Sequence, residues 1–142
     1  CTLAAMKRSK YLKTKPHFII DCSEDVLRQK PAGEIMNAVF EMAEASGLFA
    51  PNDVKVRLRP FQYYKLGENK QNFIHIFAYI MQGRNTGQKA NLSRQIISRL
   101  TEMLPEVSFI SMNVEDFEKA SYCNKALIHP ENLHGDRHFG LE

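Results

Sequence analysis

One order of elements occurs twice along this chain: an apolar strand, a helix with one apolar face, and a second strand. The first round opens at Pro16 and runs into the apolar Phe18–Ile20. Proline is tolerated at a strand's first position because its missing N–H need not join the ladder. Pro31 suits a helix start, and Ile35, Met36, Val39, Phe40 and Ala43 then recur at three- and four-residue spacing, which predicts a helix with one buried face. Gly47 predicts its stop and Pro51-Asn52-Asp53 a turn. Val54, Val56 and Leu58 alternate with Lys55, Arg57 and Arg59, a strand with one apolar and one cationic side. Pro60 is expected to end or bend it, with Phe61–Tyr64 continuing as an edge.

The second round begins at Asn72–Met81, the most apolar segment and the expected central strand. Gly83–Gly87 reads as a polar loop. Leu92, Ile96, Leu100, Met103 and Leu104 predict a helix over Lys89–Leu104, closed by Pro105, and Val107–Val114 predicts the last strand. The tail from about residue 117 has no period, and His129-Pro130-Glu131-Asn132 reads as loop. The fold class this order predicts is α/β (α+β): two βαβ units forming a four-stranded sheet with two helices on one face. A split-βαβ, ferredoxin-like arrangement has the same element order. Either way one sheet face lies bare. Ile74, Ile76 and Ala78, or their alternates, then need cover, and oligomerisation would supply it.

A chain of 142 residues, 44% hydrophobic, is long enough for one domain with a real core. No apolar run approaches a membrane span, and no signal peptide is visible, so no membrane partner is expected. Three cysteines without metal-ligand spacing fit free thiols in a reducing, cytoplasmic setting. The net charge of +3 is unevenly placed, because residues 7–15 carry five cations and no acid. The remainder is slightly acidic, which argues against a nucleic-acid partner. Residues 1–15 read as a basic leader, either a cloning remnant, a natural arm or a segment removed by processing. Residues 16–142 read as the single domain.

Lys55, Arg57 and Arg59 share one strand side and Arg84 follows the central strand. Converging cations suit a carboxylate, which guanidinium grips bidentately, although strand cations are more often a solvated face. His75 in an apolar strand reads as a hydrogen-bonded core residue. His129, His134 and His138 match no zinc spacing, so no metal is expected. Cys22 reads as an inert buried thiol, and Asp21 and Glu24 as strand-end carboxylates. No phosphate loop, dinucleotide fingerprint or nucleophile elbow occurs, and no cofactor is expected.

The run Pro16-His17-Phe18-Ile19-Ile20-Asp21-Cys22-Ser23 resembles the mature amino terminus of 5-carboxymethyl-2-hydroxymuconate Δ-isomerases, of the tautomerase superfamily. The likeness continues through Gly47-Leu48-Phe49, Val54-Lys55-Val56-Arg57, Phe73–His75, Gly83-Arg84, Leu92-Ser93-Arg94-Gln95 and Ser108–Glu115. It implies a tautomerase-like fold, a homotrimer with its sheets packed inward, and cofactor-free catalysis by an amino-terminal proline in aromatic catabolism. The family's proline falls on Pro16. Its strand arginines fall on Lys55 and Arg57, and its loop arginine on Arg84, or on Lys89 if Ser93-Arg94-Gln95 anchors the match. The implied substrate is a small unsaturated keto or enol (di)carboxylate.

The chemistry has a physical basis. Shifting a double bond in an unsaturated keto acid requires one base to take a proton beside a carbonyl and return it one vinylogous position away. A secondary amine becomes such a base when burial and nearby cations disfavour its protonated form. Here Lys15 precedes Pro16, so the nitrogen is an amide unless the chain is cut between them. The alternative is a non-catalytic trimeric relative that binds a carboxylate with Pro16 blocked.

Overall fold

The computed structural model describes residues 15–128. Its elements run β1 (His17–Ser23), α1 (Val26–Gln29), α2 (Ala32–Ala45), β2 (Lys55–Phe61), β3 (Phe73–Met81), α3 (Thr86–Met103) and β4 (Phe109–Phe117). A 3-10 turn (Lys119–Ser121) and the short α4 (Lys125–Ile128) follow, so the expected structureless tail carries local order where it is described.

The sheet order is β2-β1-β3-β4. β1 pairs parallel with β2, antiparallel with β3, and β3 pairs parallel with β4. Each half is therefore a βαβ unit, and the two first strands meet at the centre. The core is one layer. Phe18, Ile20, Ile74, Ile76 and Ala78 from the central strands pack with Ile35 and Val39 of α2 and with Ile96 and Leu100 of α3, all fully buried. The two helices thus share one face of the sheet, as the apolar spacing predicts. Among the described residues the buried core begins beside Pro16 and ends at Leu104.

β2, α3 and β4 depart from their expected bounds. Pro60 does not end β2 but lies within it, opposite Cys22, and β2 stops at Phe61 rather than extending to Tyr64. β2 is an edge strand, where a missing ladder donor costs little. α3 begins at Thr86 rather than Lys89, because Asn85 and Gln88 form a capping box: Gln88 N–H donates to Asn85 Oδ1 at 2.8 Å, and Asn85 N–H to Gln88 Oε1 at 2.9 Å. Its first turn is polar and solvent-facing, so apolar periodicity does not register it. β4 runs from Phe109 to Phe117 rather than Val107 to Val114. The buried Asn72 accepts the Ser108 N–H at 2.6 Å and so holds the segment before β4 as a turn. At the other end Glu115 and Asp116 interrupt the apolar pattern without interrupting the ladder.

Gly47 closes α2 at φ +76° and Gly83 follows β3 at φ +122°, backbone conformations that favour glycine. Both turns feed the end of the sheet where Pro16 lies.

Candidate active site

Pro16 stands immediately before β1 and is buried. Its carbonyl accepts the Lys55 N–H at 3.2 Å, which aligns the starts of β1 and β2. Before it, Lys15 has a positive φ of 33° and donates its backbone N–H to Asp53 Oδ2 at 2.9 Å. Asp53 sits in the predicted turn, its N–H on the Ala50 carbonyl at 3.1 Å. The Lys55 ammonium lies 3.7 Å from Asp53 Oδ1 and donates to the Asp53 carbonyl at 2.9 Å. Turn and strand together therefore bracket the residue ahead of Pro16 with one carboxylate and one ammonium.

Alternation along β1 and β2 turns His17, Lys55 and Arg57 to the face the helices leave open. Arg57 Nη1 donates to His17 Nδ1 at 3.1 Å. A guanidinium has only donors, so Nδ1 is the acceptor and the ring's proton is on Nε2. Burial first, then the charges of Arg57 and Lys55, lower the His17 pKa, while Asp53 pulls it upward. The ring is steadied by Phe117, edge-on at 5.8 Å, and Phe117 in turn stacks with Tyr79 at 6.1 Å.

Arg84 arrives from the other direction. It follows Gly83 at the end of β3, is half-buried, and donates from Nη2 to the Leu48 carbonyl at 2.7 Å. Leu48 and Phe49 belong to the core on the helical side, and the Phe49 ring packs edge-on to Phe18 at 5.9 Å. Continuing the antiparallel register by one residue puts Pro16 opposite Ile80, so the start of β1 and the end of β3 share one end of the sheet. Lys89, the other candidate for the loop cation, binds the Asp116 carboxylate at 3.1 and 3.3 Å.

Pro16, Lys55, Arg57 and Arg84 are thus gathered at one sheet end. Lys55 and Arg57 flank it on the open face, and Arg84 reaches the helical side. Sequence reasoning passed over Asp53 as a turn residue and gave His17 no role of its own. Their signal was position alone, one a residue after Pro16 and one two residues before Lys55.

Other candidates lie elsewhere. Asp21 accepts a bidentate pair from Arg59 at 2.7 and 3.0 Å. His75 is half-buried on the open face rather than in the core, bonded to Ser111 at 2.6 Å and Asn113 at 2.7 Å. Burial, with Asp21 and Asp25 nearby, pushes the Cys22 thiol up to about 11, an inert state at neutral pH. Among the described residues no cluster of ligating side chains could hold a metal ion, and no helix is long and apolar enough to cross a membrane. His129, His134, His138 and the leader residues 1–14 lie outside the described residues.

The sheet order, with two βαβ units and both helices on one face, is that of tautomerase-like folds. A solved 5-carboxymethyl-2-hydroxymuconate isomerase from Deinococcus radiodurans R1 superposes with a TM-score of 0.71 at 17% identity, covering 81% of this chain and 92% of that one. A solved 5-carboxymethyl-2-hydroxymuconate delta-isomerase gives 0.64 at 16% identity, covering 81% and 90%. A fused wild-type 4-OT, described as an asymmetric trimer, gives 0.64 at 14% identity, covering 77% and 92%. No curated protein matches the chain. The family model for 5-carboxymethyl-2-hydroxymuconate isomerase matches residues 16–131, and the chain belongs to that family. Family and fold together support an isomerase- or tautomerase-type function. The match begins at Pro16.

Proposed function

We propose that this protein is a cofactor-independent isomerase that moves a proton within an unsaturated keto or enol (di)carboxylate. Pro16 is its general base and acid once it is the first residue, and Lys55, Arg57 and Arg84 bind the substrate. The observation that carries this reading is the burial of Pro16 at the sheet end where Lys55 and Arg57 open β2 and Arg84 follows β3. Burial and positive charge both disfavour an ammonium, which keeps a secondary amine available to take a proton near neutral pH. Cations beside it would hold a carboxylate and stabilise the negative charge that develops on the dienolate oxygen. The ammonium then returns the proton one vinylogous position away. Arg84 is preferred to Lys89 as the loop cation because it follows the end of β3, whose Ile80 continues the register opposite Pro16, while Lys89 is turned to Asp116. Lys55 keeps the charge of an arginine but not its fork, so bidentate grip falls to Arg57 and Arg84.

The open sheet face supports assembly as a homotrimer with the sheets inward, because among the described residues its aromatic side chains Phe73, Phe77 and Tyr79 are only half-buried. A second reading rests on the Lys15–Asp53 hydrogen bond. With Lys15 retained and clamped, Pro16 is an amide, and the protein binds a carboxylate without turning it over.

The experiment compares the intact chain with one that begins at Pro16, following ketonisation of 2-hydroxymuconate or phenylenolpyruvate by ultraviolet absorbance. The shorter chain is expected to be active and the intact chain not. Its Pro16→Ala variant should lose about 10²- to 10⁴-fold in kcat/KM, the span of a general acid–base group. Equal activity in that variant refutes the proline role. Inactivity of the Pro16-first chain, with tight carboxylate binding by the intact chain, selects the second reading.

A further inference from the structure

The Asp53 carboxylate, which has no part in the proton transfer above, binds the residue ahead of Pro16. Its Oδ2 accepts the Lys15 N–H at 2.9 Å. Consecutive backbone nitrogens are three bonds apart and cannot separate by more than about 3.7 Å, so the carboxylate lies within about 7 Å of the Pro16 nitrogen. The Asp53 side chain is 16% exposed, which limits screening of its charge.

The charged and titratable groups facing Asp53 come from every neighbouring segment. Lys15 Nζ is 4.0 Å away, and Lys55 Nζ of β2 is 3.7 Å away. His17 of β1 lies in register with Lys55, Arg57 of β2 is two residues beyond Lys55, and Glu44 of α2 accepts the N–H of the adjoining Asn52 at 3.4 Å. Arg84 occupies the same sheet end from the loop after β3. Cutting the chain before Pro16 removes both Lys15 groups and leaves the Asp53 carboxylate within about 7 Å of a new secondary amine.

We infer that Asp53 is a positioning residue that holds the backbone N–H of Lys15 just ahead of β1 and, when Pro16 is the first residue, favours the protonated form of its amine. This rests on the proline reading above and adds a group to it. A carboxylate beside an amine raises its proton affinity, whereas Lys55 and Arg57 lower it. The two signs serve the two halves of the reaction. The cations favour the free amine that takes the proton, and Asp53 favours the ammonium that gives it back.

The test has two arms. In the intact chain the His17 imidazole feels the same charges, so NMR titration of its ring reports them without cleavage or turnover. Asp53→Asn should lower the His17 pKa by a few tenths of a unit and Lys55→Met should raise it. In the chain that begins at Pro16, ¹⁵N-proline labelling reads the amine directly. Asp53→Asn should lower its pKa by about one unit, and Asp53→Glu should keep it close to the wild-type value. The acid limb of kcat/KM should move to lower pH by the same amount.

An amine pKa unmoved by Asp53→Asn overturns the inference, as does an unmoved His17 in the intact chain. A purely structural Asp53 would lower the melting temperature and move neither titration. Failure of the proline reading looks different, because activity would then survive Pro16→Ala while the amine titration still answers for Asp53.

Discussion

The two faces of the sheet are made by alternate residues of the same strands, yet they solve different problems. On the helical face Phe18, Ile20, Ile74, Ile76 and Ala78 are fully buried and carry no polar side-chain atom. On the other face Ile19, Phe73, Phe77 and Tyr79 are half-buried, and polar residues run between them in register as Arg59, Asp21, His75 and Ser111. Those polar groups are satisfied sideways within the sheet. Asp21 takes both bonds from Arg59, and His75 bonds Ser111 through Nδ1 and Asn113 through Nε2. Asn113 donates from Nδ2 to Glu115, which turns its oxygen to His75. One face is closed by its own chain. The other carries polar side chains already bonded to one another, which lowers the cost of covering it, since a buried unpaired group is what makes covering a polar face costly.

Breaking the distinction requires a substitution on each face. Ile76→Ala on the helical face should cost about 2–5 kcal/mol in denaturant unfolding, the usual range for truncating a fully buried aliphatic side chain. Phe77→Asp, one residue away on the open face, should leave the unfolding of the separated chain far less changed and abolish assembly in sedimentation velocity. Equal losses of stability from both would mean that the faces are not functionally separate.

The next effect concerns the sheet end that joins the two faces. Arg84→Ala should raise KM for an enol dicarboxylate about 10- to 100-fold, as expected for loss of a hydrogen bond to a charged group. Lys89→Ala should change KM little, since Lys89 serves Asp116. The reverse result would move the loop cation to Lys89.

The smallest effects are in pH dependence, and each face has its own. Because the His17 pKa is lowered in the fold, the unfolded chain takes up its proton first as pH falls below 6.5, so stability declines there. His17→Gln should flatten that decline in thermal melts between pH 5 and about 7. Cys22, on the helical face, acts at the opposite extreme. Its thiol is raised from 9.0 to about 11, so the unfolded chain ionises first and stability falls as pH rises through that window. At neutral pH Cys22 should label with thiol reagents only on unfolding, whereas the exposed Cys123 labels in the native chain.

Much of the fold was legible because apolar side chains must repeat with the period of the element that buries them. The spacing of Ile35, Val39 and Ala43, and of Leu92, Ile96 and Leu100, found both helices and their buried sides. The same rule missed the first turn of α3, which is held by Asn85 and Gln88 rather than by burial. It also missed the end of β4, where Glu115 and Asp116 sit on an exposed ladder. At the candidate site, Pro16 and its cations could be named from residue type and resemblance. Asp53 and the His17–Arg57 pair could not, because the partners are 38 and 40 residues apart.

Local periodicity and one contiguous motif were enough for the order of the main elements, the face each long helix buries and the family. Which charges meet was set by the fold. The parallel register of β1 with β2 sets His17 beside Lys55, one strand step from Arg57, and the turn before β2 swings Asp53 under Lys15. The loop after β3 sends Arg84 to Leu48 instead of to the open face. Charge interactions depend on distance through space, and a one-dimensional pattern carries no record of it until strand register brings distant residues within a few ångströms.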